Sequence, residues 1–173
     1  MSNWYLVTVI GEDQPGIVAR VTRTLANAGC HLADTSMIQM ANNFTIMMML
    51  QTNSDQNALE SALSAPGKDL GLRVHIDTIK EPHITTPEPN VRVSVHGADR
   101  AGIIADITGI LAANGFNIID LESARAGRPE APIYILHIEG SCIASSETLS
   151  SQLKHLIENG IDIRVDELDT LIG

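Results

Sequence analysis

GEDQPGIVARVTRTLANAG, residues 11–29, returns as GADRAGIIADITGILAANG, residues 97–115, at a constant shift of 86 residues and without a gap. Gly11, Asp13, Gly16, Ile17, Ala19, Thr22, Leu25, Ala26, Gly29 and Asp34 reappear as Gly97, Asp99, Gly102, Ile103, Ala105, Thr108, Leu111, Ala112, Gly115 and Asp120. A period this long marks a duplicated domain and not a solenoid repeat. Two modules of roughly 80 residues, each able to close one core, fill the chain of 173 residues and leave no room for a separate catalytic domain.

Each copy begins with a strand. Val91, Val93 and Val95 alternate with Arg92, Ser94 and His96, as on a half-buried strand, and Tyr5 to Ile10 is the equivalent run. A helix follows. Ile17, Val21 and Leu25 share one helical face, as do Ile103, Ile107 and Leu111. Asp13 and Asp99 stand where an N-cap is wanted, and Gly29 and Gly115 where a left-handed residue ends a helix. Two strands come next, 32–40 and 44–52 in the first copy, 117–126 and 133–140 in the second. The second pair is joined by GRPEAP, whose two prolines predict an exposed loop. A second helix is expected over 55–65, stopped by Pro66 and Gly67, and over 146–159, stopped by Gly160. Strands over 72–79 and 161–168 close the copies. The order strand, helix, strand, strand, helix, strand is the ferredoxin-like unit, so the fold class is α+β with two tandem βαββαβ domains. KEPHITTPEPN (80–90), with three prolines, reads as a stiff connector. The expected division is 1–80, a Pro-rich linker at 81–90, and 91–173.

Composition narrows the function classes. The net charge is −10, and the basic residues are scattered. A nucleic-acid surface needs clustered Lys and Arg, so no direct nucleic-acid partner is expected. The two cysteines, Cys30 and Cys142, fall at non-equivalent positions and form no CxxC pair, which predicts buried thiols. The opening MSNWYLVTVIGEDQ has no charged leader, and no run approaches the roughly 18 apolar residues of a membrane span. A cytoplasmic protein with no membrane partner is expected. The six histidines show no metal-ligand spacing, and GxSxG, GxGxxG and P-loop patterns are absent. That predicts no catalytic residues, no metal and no cofactor. Met47 and Met49 alternate with the core-facing Ile46, Met48 and Leu50, so they are expected on the outer face of the first sheet, where methionine suits irregular contacts.

The sharpest motif is Gly-x-Asp-x-x-Gly-Ile, at Gly11 to Ile17 and at Gly97 to Ile103. It is a tight turn from a strand into a helix start. The free N–H groups there and the positive end of the helix favour an anion such as an amino-acid carboxylate. A purely structural reading, glycine for the turn and aspartate for the cap, accounts for the same residues.

Followed by ANAGCHLAD and AANGFNIID, these motifs resemble ACT domains, small regulatory modules that sense amino acids. A tandem pair of this length is similar to the glycine cleavage system transcriptional repressor family. It also looks like the sensing portions of formyltetrahydrofolate deformylases and of some phosphoserine phosphatases. The resemblance implies a non-enzymatic amino-acid sensor that acts through a protein partner such as a transcriptional activator. The alternative is a regulatory subunit for an enzyme of amino-acid or one-carbon metabolism. It implies a ligand, glycine or serine, held at an interface between two modules by the loop after the first strand. That loop is Glu12, Asp13, Gln14, Pro15 and Gly16 in one copy, and Asp99, Arg100, Ala101 and Gly102 in the other. A polar residue at the start of the second strand completes such a pocket. Asn117 fits that role, and His31 stands there in the first copy. The modules could pair within the chain, or a homodimer could supply the contacts.

Overall fold

The computed structural model describes residues 2–80, 88–98, 100–128, 131–157 and 161–168. The chain divides into two compact units, Met1–Ile84 and Thr85–Gly173. In the first, the elements are β1 (Asn3–Glu12), α1 (Ile17–Asn27), β2 (His31–Met40), β3 (Asn43–Thr52), α2 (Gln56–Asp69) and β4 (Arg73–Ile79). In the second they are β5 (Val91–Ala98), α3 (Ile103–Ala113), β6 (Asn117–Arg128), β7 (Ala131–Ser141), α4 (Ser146–Ile157) and β8 (Ile161–Glu167). Each unit holds one antiparallel four-stranded sheet, ordered β2-β3-β1-β4 and β6-β7-β5-β8. This is the βαββαβ order expected from the sequence.

Period-two patterning builds the two cores. Tyr5, Val7 and Val9 of β1 and Phe44, Ile46, Met48 and Leu50 of β3 turn inward, against Ile17, Val21 and Leu25 of α1 and Leu59 and Leu63 of α2. Val91, Val93 and Val95, Leu136 and Ile138 meet Ile103, Ile107 and Leu111, with Leu149, Leu153 and Leu156, in the second. Both first helices close with paired backbone bonds. Gly29 N–H donates to Ala26 O and Cys30 N–H to Leu25 O, as Gly115 N–H does to Ala112 O and Phe116 N–H to Leu111 O. Cys30 and Cys142 are free and buried. Burial pushes the Cys30 thiol up, outweighing the opposite pull of its hydrogen bond with Thr52.

Two local expectations need correction. α2 does not stop at Pro66 but runs to Asp69. Proline removes one N–H from the helical ladder, yet Pro66 and Gly67 are both buried, and Gly67 O accepts the Leu72 N–H at 2.7 Å. Packing onto the start of β4 therefore outweighs the lost bond, and Gly71, at φ +64°, ends the helix instead. GRPEAP is not an open loop either. Gly127 pairs with Pro132 and Arg128 with Ala131 across β6 and β7, leaving residues 129–130, which lie outside the described residues. Pro132 stands past the end of β5, where Ala98 faces Ile133, so its missing N–H breaks no ladder bond on that side. The expected stop at Gly160 and most of the expected linker, 81–87, lie outside the described residues. Asn90, the last residue of that expected linker, is built into the second domain. Its side chain donates to Cys142 O and accepts from Cys142 N–H, both at 2.9 Å.

The outermost strands β2 and β6 are exposed along their whole described length. Met47 and Met49 do lie on the outer face of the first sheet, where Met47 faces Thr8 and Met49 faces Leu6. The equivalent face of the second sheet is charged. Arg92 pairs with Glu139, Arg164 with Asp166, and the His96 and His137 rings stand edge to face 6.0 Å apart.

Candidate functional site

The loop between β1 and α1 is fastened to the far end of the β2–β3 hairpin. Asp13 N–H donates to Asn42 O at 2.8 Å, and the Asp13 carboxylate accepts from Gln39 Nε2 at 2.8 Å. Asp13 is therefore not the helix cap that the sequence led us to expect. The cap is Gly16, at φ +91° and ψ −4°, and no side chain bonds to the helix start. The turn through Pro15 and Gly16 separates Asp13 from the first helical turn and leaves its carboxylate facing β2. Gly102 repeats this geometry at the start of α3, with φ +87° and ψ −3°, again with no side-chain cap. Asp99 lies outside the described residues. Glu12, Gln14, Pro15, Arg100 and Ala101 are exposed.

Both helix starts thus combine a left-handed glycine with first-turn N–H groups that no side chain satisfies, the arrangement that receives an anion. A Cβ at Gly16 or Gly102 would meet nothing within 4 Å, so a substitution there costs backbone strain and no collision. We expect Gly16→Val and Gly102→Val each to lose about 1–2 kcal/mol of stability in urea denaturation, before any effect on ligand binding is read. A variant as stable as the parent would contradict the left-handed cap.

The residues expected to complete the pocket are elsewhere in the same domain. His31 faces Gln51, whereas Glu12 faces Asn43. These positions are eight residues apart on β3, or roughly 27 Å at about 3.4 Å per residue. Asn117 faces Ser141 while Ala98 faces Ile133, the same separation on β7. Neither domain by itself brings its loop and its strand start together.

The second domain adds two residues that the sequence reading missed. A cleft of about 470 Å³ beside the start of α3 is lined by Arg100, Gly102 and Ile104, and also by Arg125 and Tyr134. Arg125 and Tyr134 face each other across β6 and β7, a pairing that needs the strand register to be known. Among the described residues, no three His, Cys, Asp or Glu side chains are grouped to hold a metal ion, and no helix is long and apolar enough to cross a membrane.

Comparison with known proteins identifies both halves. Two ACT-domain family models match, one over residues 4–77 and the other over residues 91–154. The glycine cleavage system transcriptional repressor of Escherichia coli (strain K12) is 30% identical over 139 residues, covering 79% of this chain and 73% of that protein. UPF0237 protein YjhC of Lactococcus lactis is 43% identical over 72 residues, 41% of this chain and 83% of that one. Among solved structures, an unknown protein from Galdieria sulphuraria superposes with a TM-score of 0.81 at 22% identity, over 98% of this chain and 100% of its own, a likeness of fold.

Proposed function

The chain belongs to the ACT-domain family, with two such domains in tandem, and we propose that it is a non-enzymatic regulator that senses a small amino acid. In this reading it works in the cytoplasm through a protein partner, as a relative of glycine cleavage system transcriptional repressors. The observation that carries the reading is the pair of uncapped, glycine-started helices in a chain 30% identical to such a repressor. Glycine and serine are the first ligands to try, on the likeness to a glycine cleavage system repressor, and the α-carboxylate that every amino acid carries suits the helix start.

The split between loop and strand start supports a shared pocket. β2 is an outermost strand, exposed throughout. Antiparallel pairing of two such edges lays the start of one beside the end of the other. The loop is fastened to the end of β2 through Asp13 and Gln39. A module paired in this way would offer its own strand start, His31 or Asn117, to the glycine loop of its neighbour. Ligand binding and module pairing are then linked, and couplings of about 1–3 kcal/mol would change partner affinity several-fold to roughly a hundredfold. The net charge of −10, with scattered basic residues, favours a protein partner over DNA.

Thermal unfolding of the full chain with each of the twenty amino acids tests the proposal. A ligand held only by the folded protein stabilises it by about 2.7 kcal/mol at a hundred times its Kd, so glycine or serine should raise the Tm. A flat response to all twenty sinks the sensing reading. Salt-sensitive retention on a DNA column sinks the choice of a protein partner.

A further inference from the structure

The outer face of the first sheet is apolar for a reason the fold does not supply. Leu6 and Ile10 of β1, Met47 and Met49 of β3 and Ile38 of β2 share this face, opposite the core residues. Met47 is 45% exposed and Ile38 56%. The second domain builds the same sheet with other residues there. Leu6 corresponds to Arg92 and Ile10 to His96 by the 86-residue repeat. Met49, which faces Leu6, has its counterpart in Glu139, which faces Arg92, and Met47 has its counterpart in His137. A βαββαβ unit therefore folds with charged and polar groups at these positions. An exposed apolar patch that folding does not need marks an interaction surface, and methionine suits one.

Charge on the same face says what covers it. β4 carries Arg73, His75 and Asp77 there, all exposed, opposite Ile10, Thr8 and Leu6 of β1 in that order. His75 thus stands midway between one cation and one anion, and its Nε2 lies 3.2 Å from Asp77 Oδ1. Stacked sheets pack about 10 Å apart, with their strands within about 30° of each other. A half-turn about an axis that crosses the strands at the level of Thr8 and His75 brings Arg73 of each copy to Asp77 of the other. Ile10 then meets Leu6, and the two Met47 side chains meet at the centre, because Met47 faces Thr8. The face is its own complement, as an isologous interface requires. The equivalent strand β8 carries Asp162, Arg164 and Asp166 on its outer face, and the same operation there would set acid on acid.

We propose that two copies of this chain stack the outer faces of their first sheets about this two-fold axis. The contact is made by side chains, so the main-chain edge of β2 stays open to the pairing described above. It requires no ligand, and it stands or falls apart from the amino-acid-sensing reading.

Sedimentation velocity of the full chain over a range of concentrations, without amino acid, tests it. The parent should reach a dimer. Arg73→Asp and Asp77→Arg each replace two attractions by two repulsions, since every substitution occurs twice across the axis. Each should weaken the dimer by about tenfold or more, and the chain carrying both should regain the parent's affinity within about threefold. Met47→Glu should weaken it by about tenfold or more, with two carboxylates brought together at the centre. All three positions are exposed, and an unchanged far-ultraviolet circular dichroism spectrum shows that the fold is intact. Monomer at every concentration overturns the proposal and leaves the face to another protein. A dimer indifferent to Met47→Glu overturns it too, and puts the contact elsewhere on the chain. Failure of the double exchange to restore what the single variants lose overturns the two-fold arrangement.

Discussion

We expect Gly140→Val to destabilise the second domain strongly, and Phe116→Cys in the same chain to recover only the part of the loss that the ring causes, because the Asn117 carbonyl stays in the way. Gly140 lies on β7 between Ile118 of β6 and Val91 of β5. A Cβ at this position would be driven into the Asn117 carbonyl oxygen and the Phe116 ring, whose Cζ would stand 2.8 Å away. The ring is itself buried, at 6% exposure, and the carbonyl is main chain, so neither gives way cheaply. Overpacking costs about 1–3 kcal/mol and occasionally more, a large part of what a domain of this size possesses. In the first domain the equivalent positions are Leu50 and Cys30, both buried. The bulk that one copy places on the strand, the other places after the helix. Circular dichroism and calorimetry on the single and double variants check the exchange. A Gly140→Val protein as stable as the parent would show that the ring and the glycine do not depend on each other.

The second large effect is expected from Leu25→Ala. Leu25 is fully buried on the inner face of α1. Removing its side chain loses apolar burial and leaves a cavity, which together cost about 3 kcal/mol within a range of roughly 2–5. Trp4, the one tryptophan of the chain, stands on β1 of the same domain, so its fluorescence follows this unfolding directly. The urea midpoint should fall with an unchanged m-value. An unmoved midpoint would mean that the helix does not pack as described.

What could be read from the residues was local or periodic. The repeat fixes two modules, and the apolar spacing of Ile17, Val21 and Leu25 fixes the buried face of α1, because both depend only on separations along the chain. The cap is not legible locally because aspartate and glycine are both good residues at a helix start, and only the fold shows that Asp13 is drawn across to Gln39. The path of α2 through Pro66 is not legible locally, because the burial that offsets the proline's penalty depends on the rest of the domain. The cleft residues Arg125 and Tyr134 were not legible because register decides who faces whom across a sheet, and a slip by one residue inverts the answer. For the same reason the distance between His31 and the glycine loop could not be seen, although both belong to one resemblance.

The exchange of bulk between Leu50 with Cys30 and Gly140 with Phe116 has a genetic corollary. Recombination between the two halves of a duplicated gene tends to make them alike. Here, copying β3 into the place of β7 would set a leucine against Phe116 and overfill the interior. The reverse copy would leave Gly140's emptiness opposite a cysteine and hollow out the other. Such hybrids would be purged as misfolded, so this reciprocal fit insulates the twins from homogenisation and leaves each at liberty to specialise.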